Sequence, residues 1–180
     1  MKRVFVGGSR RISRLNEEVR RRLDLMVGRE MGILVGDANG ADRAVQTWLH
    51  EGGYPSVTVF CTGGECRNNV GGWPVEVVQP PHRKRDFAFY TAKDAAMAQG
   101  ADAGFMLWDG ESPGTVVNVA RLLGEGKSTL VWVRPQKVFL TLRTLEDLPG
   151  MLRGCSTDAE KRVMRYLTEH APAAVQHSMF

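Results

Sequence analysis

Residues 36–42 read Gly-Asp-Ala-Asn-Gly-Ala-Asp, an acidic turn with little side-chain bulk where an apolar run gives way to a helical pattern. Gly36 and Gly40 let a ligand approach the backbone closely, and Asp37 and Asp42 can accept from ribose hydroxyls or an amine. The same residues also build ordinary turns, since Gly, Asp and Asn tolerate tight backbone angles. Asp37 can equally cap the helix that follows, and Asp42 lies in its first turn, where a carboxylate is favoured. Two other stretches share this character. Gly7-Gly8-Ser9-Arg10 joins bare amides to a hydroxyl and a guanidinium, a set suited to an anion. Asp109-Gly110-Glu111-Ser112-Pro113-Gly114-Thr115 opens a helix at Gly114 and Thr115, where exposed N–H groups and the helix dipole favour phosphate. Trp108, just before it, offers either a stacking face for a base or a core side chain. Arg83 and Arg85 start a long helix as phosphate ligands or as solvated charges. Nothing here matches the dinucleotide fingerprint or the P-loop, which disfavours nicotinamide cofactors and ATP hydrolysis, and no cofactor is expected.

Apolar runs and helical patterns alternate and must position these stretches. Strands are predicted at 2–7, 32–36, 56–61, 74–78, 103–108 and 128–133. Helices are predicted at 13–27 with Ser13 as N-cap, then at 41–51, 83–99, 113–123 and 157–170. Residues 62–73 form a long glycine-rich loop, residues 138–148 add a strand or edge segment, and the last ten residues read as loose. This rhythm predicts an α/β, Rossmann-like doubly wound, mostly parallel sheet with helices on both faces. In such sheets ligands bind beyond the carboxyl ends of the strands, where strand order reverses. All three candidate stretches fall at those ends, and the opposite ends have no comparable concentration.

The 180 residues, 43% hydrophobic and 24% charged, suit a single globular domain. Residues 1–135 are read as a nucleotide-binding unit and 136–180 as an extension packed on it. No apolar run approaches the ~20 residues of a membrane span, and no signal peptide is evident, so a cytoplasmic protein without a membrane partner is expected. The net charge of +4, with arginines clustered at 10, 11, 14 and 20–22, suits an anionic ligand or a solvated helix face. Three cysteines make an odd count that argues against a disulfide framework. Cys61, Cys66 and His82 fall short of the four well-spaced ligands of structural zinc, so no metal is expected.

The segments "VFVGGSR", "ILVGDANGADRAVQ" and "ADAGFMLWDGESPGTVVNV" resemble the SLOG superfamily of Rossmann-like nucleotide-binding proteins, which includes the lonely-guy phosphoribohydrolases and the DNA-processing protein DprA. The YspA/YpsA-related branch is the most similar, and the resemblance covers about residues 3–134. It implies a nucleotide-derived ligand across the strand ends and a homo-oligomer, dimer or tetramer, for which the apolar faces after Pro135 could serve. The phosphate element of the lonely-guy enzymes carries over to Gly114 and Thr115, but their catalytic glutamate is replaced by Asn118. Asp109, Glu111 and Asp37 are the carboxylates that could substitute. Three functions follow in order: a nucleotide-binding sensor or regulatory module; a nucleotide N-glycosidase using one of those acids; and a nucleic-acid-binding protein. The last ranks third because the sequence interleaves no aromatics with its basic runs.

Overall fold

The computed structural model describes residues 1–80, 82, 84, 86–153 and 155–170. Strand β1 (Arg3–Gly8) shows the period of two that builds the molecule. Val4 and Val6 point into one hydrophobic cluster and Phe5 into the other. Helix α1 (Glu17–Gly28) follows, buries Val19 and Leu23, and returns the chain to β2 (Gly32–Gly36). Its N-cap is Asn16, whose Oδ1 accepts from the Val19 amide at 2.9 Å. Ser13 does not cap it, because residues 9–12 are held in a turn in which the Ile12 amide donates to the Ser9 carbonyl at 3.1 Å.

Helix α2 (Ala41–Glu51), strand β3 (Val57–Thr62) and strand β4 (Val75–Val78) carry the chain to one edge of the sheet. Helix α3 (Phe87–Gly100) then brings it back across to β5 (Ala103–Trp108), beside β1. Helix α4 (Pro113–Gly124), β6 (Thr129–Val133) and β7 (Val138–Leu142) complete a seven-stranded sheet of order β4-β3-β2-β1-β5-β6-β7. Every pairing is parallel except the antiparallel β6–β7 pair. Strand order therefore reverses between β1 and β5, the crevice where such sheets take ligands.

Helices α1 and α2 cover one face through Val19, Leu23, Val45 and Leu49. Helices α3 and α4 cover the other through Met97, Val116 and Val119, joined by α5 (Leu148–Leu152) and α6 (Thr157–His170). Each fully buried Leu, Val or Met contributes about 1.5–3 kcal/mol relative to exposure. Helix α6 is held by Ala159, Val163 and Leu167, a stripe at spacing four that lies on the core side. Of the residues between those positions, Arg162, Arg165 and Tyr166 reach the crevice. None of the described helices is long and apolar enough to cross a membrane.

Candidate functional site

A cavity of about 550 Å³ opens at the β1/β5 reversal. The end of β1 supplies Gly7, Gly8, Ser9 and Arg10 to its wall. The turn after β5 and the start of α4 supply Asp109, Glu111, Ser112, Gly114, Thr115 and Asn118, and Asp42 closes one side. Eleven of the residues expected from sequence thus meet at one place. Gly36, Asp37, Gly40 and Trp108 do not line it, and Arg83 lies outside the described residues.

Ser9 and Asp109 lock the two strand ends together. The Ser9 hydroxyl donates to Asp109 Oδ2 at 2.8 Å, and the Glu111 and Ser112 amides donate to Oδ1 at 3.1 and 2.7 Å. Burial opposes ionisation of Asp109, but these donors and the charge of Arg11 outweigh it and hold the carboxyl below its ordinary range. Asp109 therefore acts as a fixed acceptor rather than a proton donor. Glu111 sits at the mouth, where its Oε2 accepts from Arg11 Nη1 at 2.5 Å and lies 3.9 Å from Arg162 Nη2.

Asp37 corrects the expectation of a ligand-facing or catalytic acid. It is buried, and both of its oxygens are occupied. Arg67 donates to it from Nε at 3.0 Å, from Nη2 at 2.8 Å and from its amide at 3.1 Å, while Lys93 Nζ donates at 2.7 Å. Burial pushes the Asp37 carboxyl up, yet the guanidinium and ammonium together hold it far below the usual range. Gly36 serves this cluster and not a ligand: a Cβ there would lie 2.4 Å from Asp42 Oδ2 and 2.6 Å from Lys93 Nζ. The loop carrying Arg67 is fixed by Gln46, whose Nε2 donates to the Gly36 carbonyl at 2.8 Å and whose Oε1 accepts from the Val70 amide at 2.9 Å.

Asp42 is the acid of this turn that reaches the cavity. Its Oδ2 accepts from the Ala38 amide at 3.1 Å and lies 3.6 Å from Lys93 Nζ. Burial pushes its carboxyl up to about 6, aided by the negative charge of Asp94 and Asp37 and partly offset by Lys93. An acid with a raised native pKa binds its proton more tightly folded than unfolded, so its contribution to stability falls as pH rises from about 4 to about 6. Asp37 acts in the opposite sense: its stabilisation is complete above about pH 4 and is lost below it. Stability should accordingly fall by about 1–3 kcal/mol between pH 4.5 and 7. Asp42→Asn should flatten that slope in urea melts across the range; an unchanged slope would show that another group titrates there.

Two more expectations are corrected. Trp108 is fully buried in the core on the α3/α4 face, and its Nε1 donates to the Ser112 carbonyl at 3.1 Å. It braces the turn before α4 and offers no face to a base. Gly40 serves close packing within the chain: a Cβ there would lie 2.3 Å from the Arg10 carbonyl oxygen, and one on Gly8, which also lines the cavity, would lie equally close to that of Leu107. Gly40 also sits at φ 85°, where side chains are disfavoured. Gly114 differs, since a Cβ there would meet nothing within 4 Å. Ser112, the N-cap of α4, makes no side-chain capping bond, and Gly114 and Thr115 of the first turn line the cavity. Asn118 links Asp94 Oδ2, at 3.2 Å, to Arg121 Nη1, at 3.1 Å.

Sequence reasoning missed the residues that only tertiary structure delivers. Lys93, Asp94 and Tyr90 come from α3, and Arg162, Arg165 and Tyr166 from α6. Aromatics do reach the arginines in space. Arg10 lies over the Tyr90 ring at 6.0 Å, Arg165 over Tyr166 at 6.0 Å and Arg20 over Trp48 at 5.0 Å. The amphipathic spacing of α6 marked a core face and a polar face, but only the packing of the helix brings part of the polar face to the cavity.

Fold and cavity together define a Rossmann-like α/β protein with an open crevice at its strand-order reversal. Among solved structures the chain is similar to DNA processing protein A from Helicobacter pylori, described for its single-stranded DNA binding mode, at 16% identity and a TM-score of 0.53 over 93% of this chain and 81% of that one. That likeness establishes a DprA-like Rossmann fold. No family model matches the chain, and no curated protein does either.

Proposed function

We propose that the β1/β5 cavity binds a phosphate-bearing nucleotide unit, as a recognition module. The observation that carries this reading is a single cavity that is lined by both the start of α4 and acidic acceptors. The uncapped α4 start at Gly114 and Thr115, with Arg10, Arg11 and Arg162 around the mouth, suits a phosphate. Asp42 and Asp94, which also line the cavity, suit donors such as sugar hydroxyls. The volume of about 550 Å³ falls within the usual range of small-molecule sites. The SLOG resemblance of the three strand-end segments points the same way.

A second reading makes that unit part of a single-stranded nucleic acid. The arginine–aromatic pairs Arg10–Tyr90 and Arg165–Tyr166 favour it, because stacking faces beside cations are what single strands use. The single-stranded DNA binding of the similar Helicobacter pylori protein supports it further. Hydrolysis of an N-glycosidic bond is supported less well. Of the three acids considered for it, Asp37 is sequestered and Asp109 is fixed as an acceptor, while Glu111 is held by Arg11 at the mouth.

Thermal unfolding in the presence of nucleoside monophosphates and of short oligothymidylates tests the reading. A ligand at about 100 times its Kd adds about 2.7 kcal/mol, which raises Tm by roughly 5–10 °C in a chain of this size. Absence of a shift with every nucleotide and oligonucleotide would remove both forms of the proposal.

A further inference from the structure

We propose that the groove between α1 and α2 is a second binding surface, which carries the flanking nucleotides of a single strand whose phosphate occupies the β1/β5 cavity. The inference rests on the polynucleotide form of the proposed function and adds a site to it. The groove has a volume of about 400 Å³, and Arg14, Arg20 and Arg43 project into it against a single carboxylate, Glu51. All three arginines are exposed, and none makes an ion pair among the described residues.

Trp48 forms part of the wall, half-buried, with its Nε1 donating to Asp24 Oδ1 at 2.9 Å. That bond fixes the ring, and the Arg20 guanidinium lies over it at 5.0 Å. A fixed indole among uncompensated arginines is the combination that binds single strands without regard to sequence: bases stack and phosphates pair with cations.

The groove also continues the cavity. One ridge separates them, formed where Arg10 lies against Gly40. Arg10, Arg11 and Ala38 face the cavity, whereas Ser13, Arg14, Asn39 and Gly40 face the groove. The ridge is thin because Gly40 carries no side chain: a Cβ there would lie 2.3 Å from the Arg10 carbonyl oxygen. A flexible strand can cross such a ridge with a phosphate on Arg10 or Arg11 and the next ones on Arg14, Arg20 and Arg43. A rigid duplex cannot follow two concave sites across it.

Fluorescence anisotropy with labelled dT4 and dT15 tests this in the full chain, using the triple variant Arg14→Ala/Arg20→Ala/Arg43→Ala. These side chains are exposed, and a thermal melt checks that the variant is folded. Wild-type protein is expected to bind dT15 at least ~10-fold more tightly than dT4. The triple variant should lose most of that gain, keep its dT4 affinity, and show a salt dependence flatter by ~2 logarithmic units, three phosphate contacts at ~0.7 each. The lysine counterpart, Arg14→Lys/Arg20→Lys/Arg43→Lys, should keep most of the dT15 affinity and the salt dependence. The groove assignment is overturned if the alanine variant binds dT15 with wild-type affinity and salt dependence, if wild-type protein gains nothing from dT4 to dT15, or if a 15-base-pair duplex binds as well as dT15. In those cases retained dT4 binding leaves the cavity reading intact. Loss of both oligonucleotides and of every mononucleotide would overturn the cavity reading as well.

Discussion

Asp37→Ala is expected to destabilise the protein by about 3–5 kcal/mol at pH 7, because it leaves a partly buried guanidinium without its carboxylate and leaves the buried Lys93 ammonium to the more distant Asp42, at 3.6 Å. Lys93 reaches Asp37 at 2.7 Å with only 6% of its side chain exposed, so its charge has little water to turn to. Arg67 is 45% exposed and can swing outward, which places the loss toward the lower end of that range. The substitution should also loosen the loop carrying Arg67, since the Asp37 carbonyl accepts from Asn68 Nδ2 at 2.7 Å and that anchor depends on the turn keeping its place. Urea denaturation measures the loss. A double-mutant cycle with Lys93→Met isolates the pair, and the double variant should recover part of the stability because the unpaired charge is gone. A loss below about 1 kcal/mol for Asp37→Ala would mean that the cluster is solvated and that Asp37 is free to meet a ligand, as the sequence alone allowed.

The second large effect concerns the ligand and not the fold. Gly114→Asp should reduce nucleotide affinity by about 100-fold or more while leaving the melting temperature unchanged or slightly raised. A Cβ at this position meets no atom of the neighbouring elements within 4 Å, so a side chain can start there without displacing the packing. A carboxylate in the first turn of a helix gains about 0.3–1 kcal/mol from the dipole. The same carboxylate would place a negative charge where the account puts the phosphate. Gly114→Ala is the control: it removes a glycine from a helix, stabilises by up to about 1 kcal/mol, and should weaken binding far less. Equal affinity in wild-type and Gly114→Asp proteins, by calorimetric titration with a nucleotide or a short oligothymidylate, would move the anion away from α4.

These two expectations also show where the sequence was readable. The alternation of apolar runs and helical patterns predicted the doubly wound sheet because each central strand is buried on both faces, and the three strand-end stretches were legible as one rim for the same topological reason. The start of α1 was misread because Ser13 and Asn16 are both good caps, and only the turn held by the Ser9 carbonyl decides between them. Asp37 and Asp42 looked equivalent because composition does not record partners. Lys93 and Arg67 arrive from a helix interior and a glycine-rich loop, 56 and 30 residues away, and they alone assign one acid to the interior and leave the other for the cavity. Trp108 was ambiguous for the same reason. The Arg10–Tyr90 and Arg20–Trp48 pairs were invisible because the partners are remote in sequence, whereas Arg165 and Tyr166 are neighbours whose place at the cavity was not legible. The α6 rim belongs to a stretch that the family resemblance does not reach, so nothing but its amphipathic spacing pointed to it.

The central claim is that an anion enters between the ends of β1 and β5 and is held by the first amides of α4. Amide chemical-shift mapping of the isotopically labelled protein, titrated with a nucleoside monophosphate and then with dT4, tests it most directly. Ser9, Gly114 and Thr115 are expected to shift most and saturate together, with Arg11 and Arg162 following at the mouth. Saturable binding that leaves those three amides unmoved while others shift would contradict it.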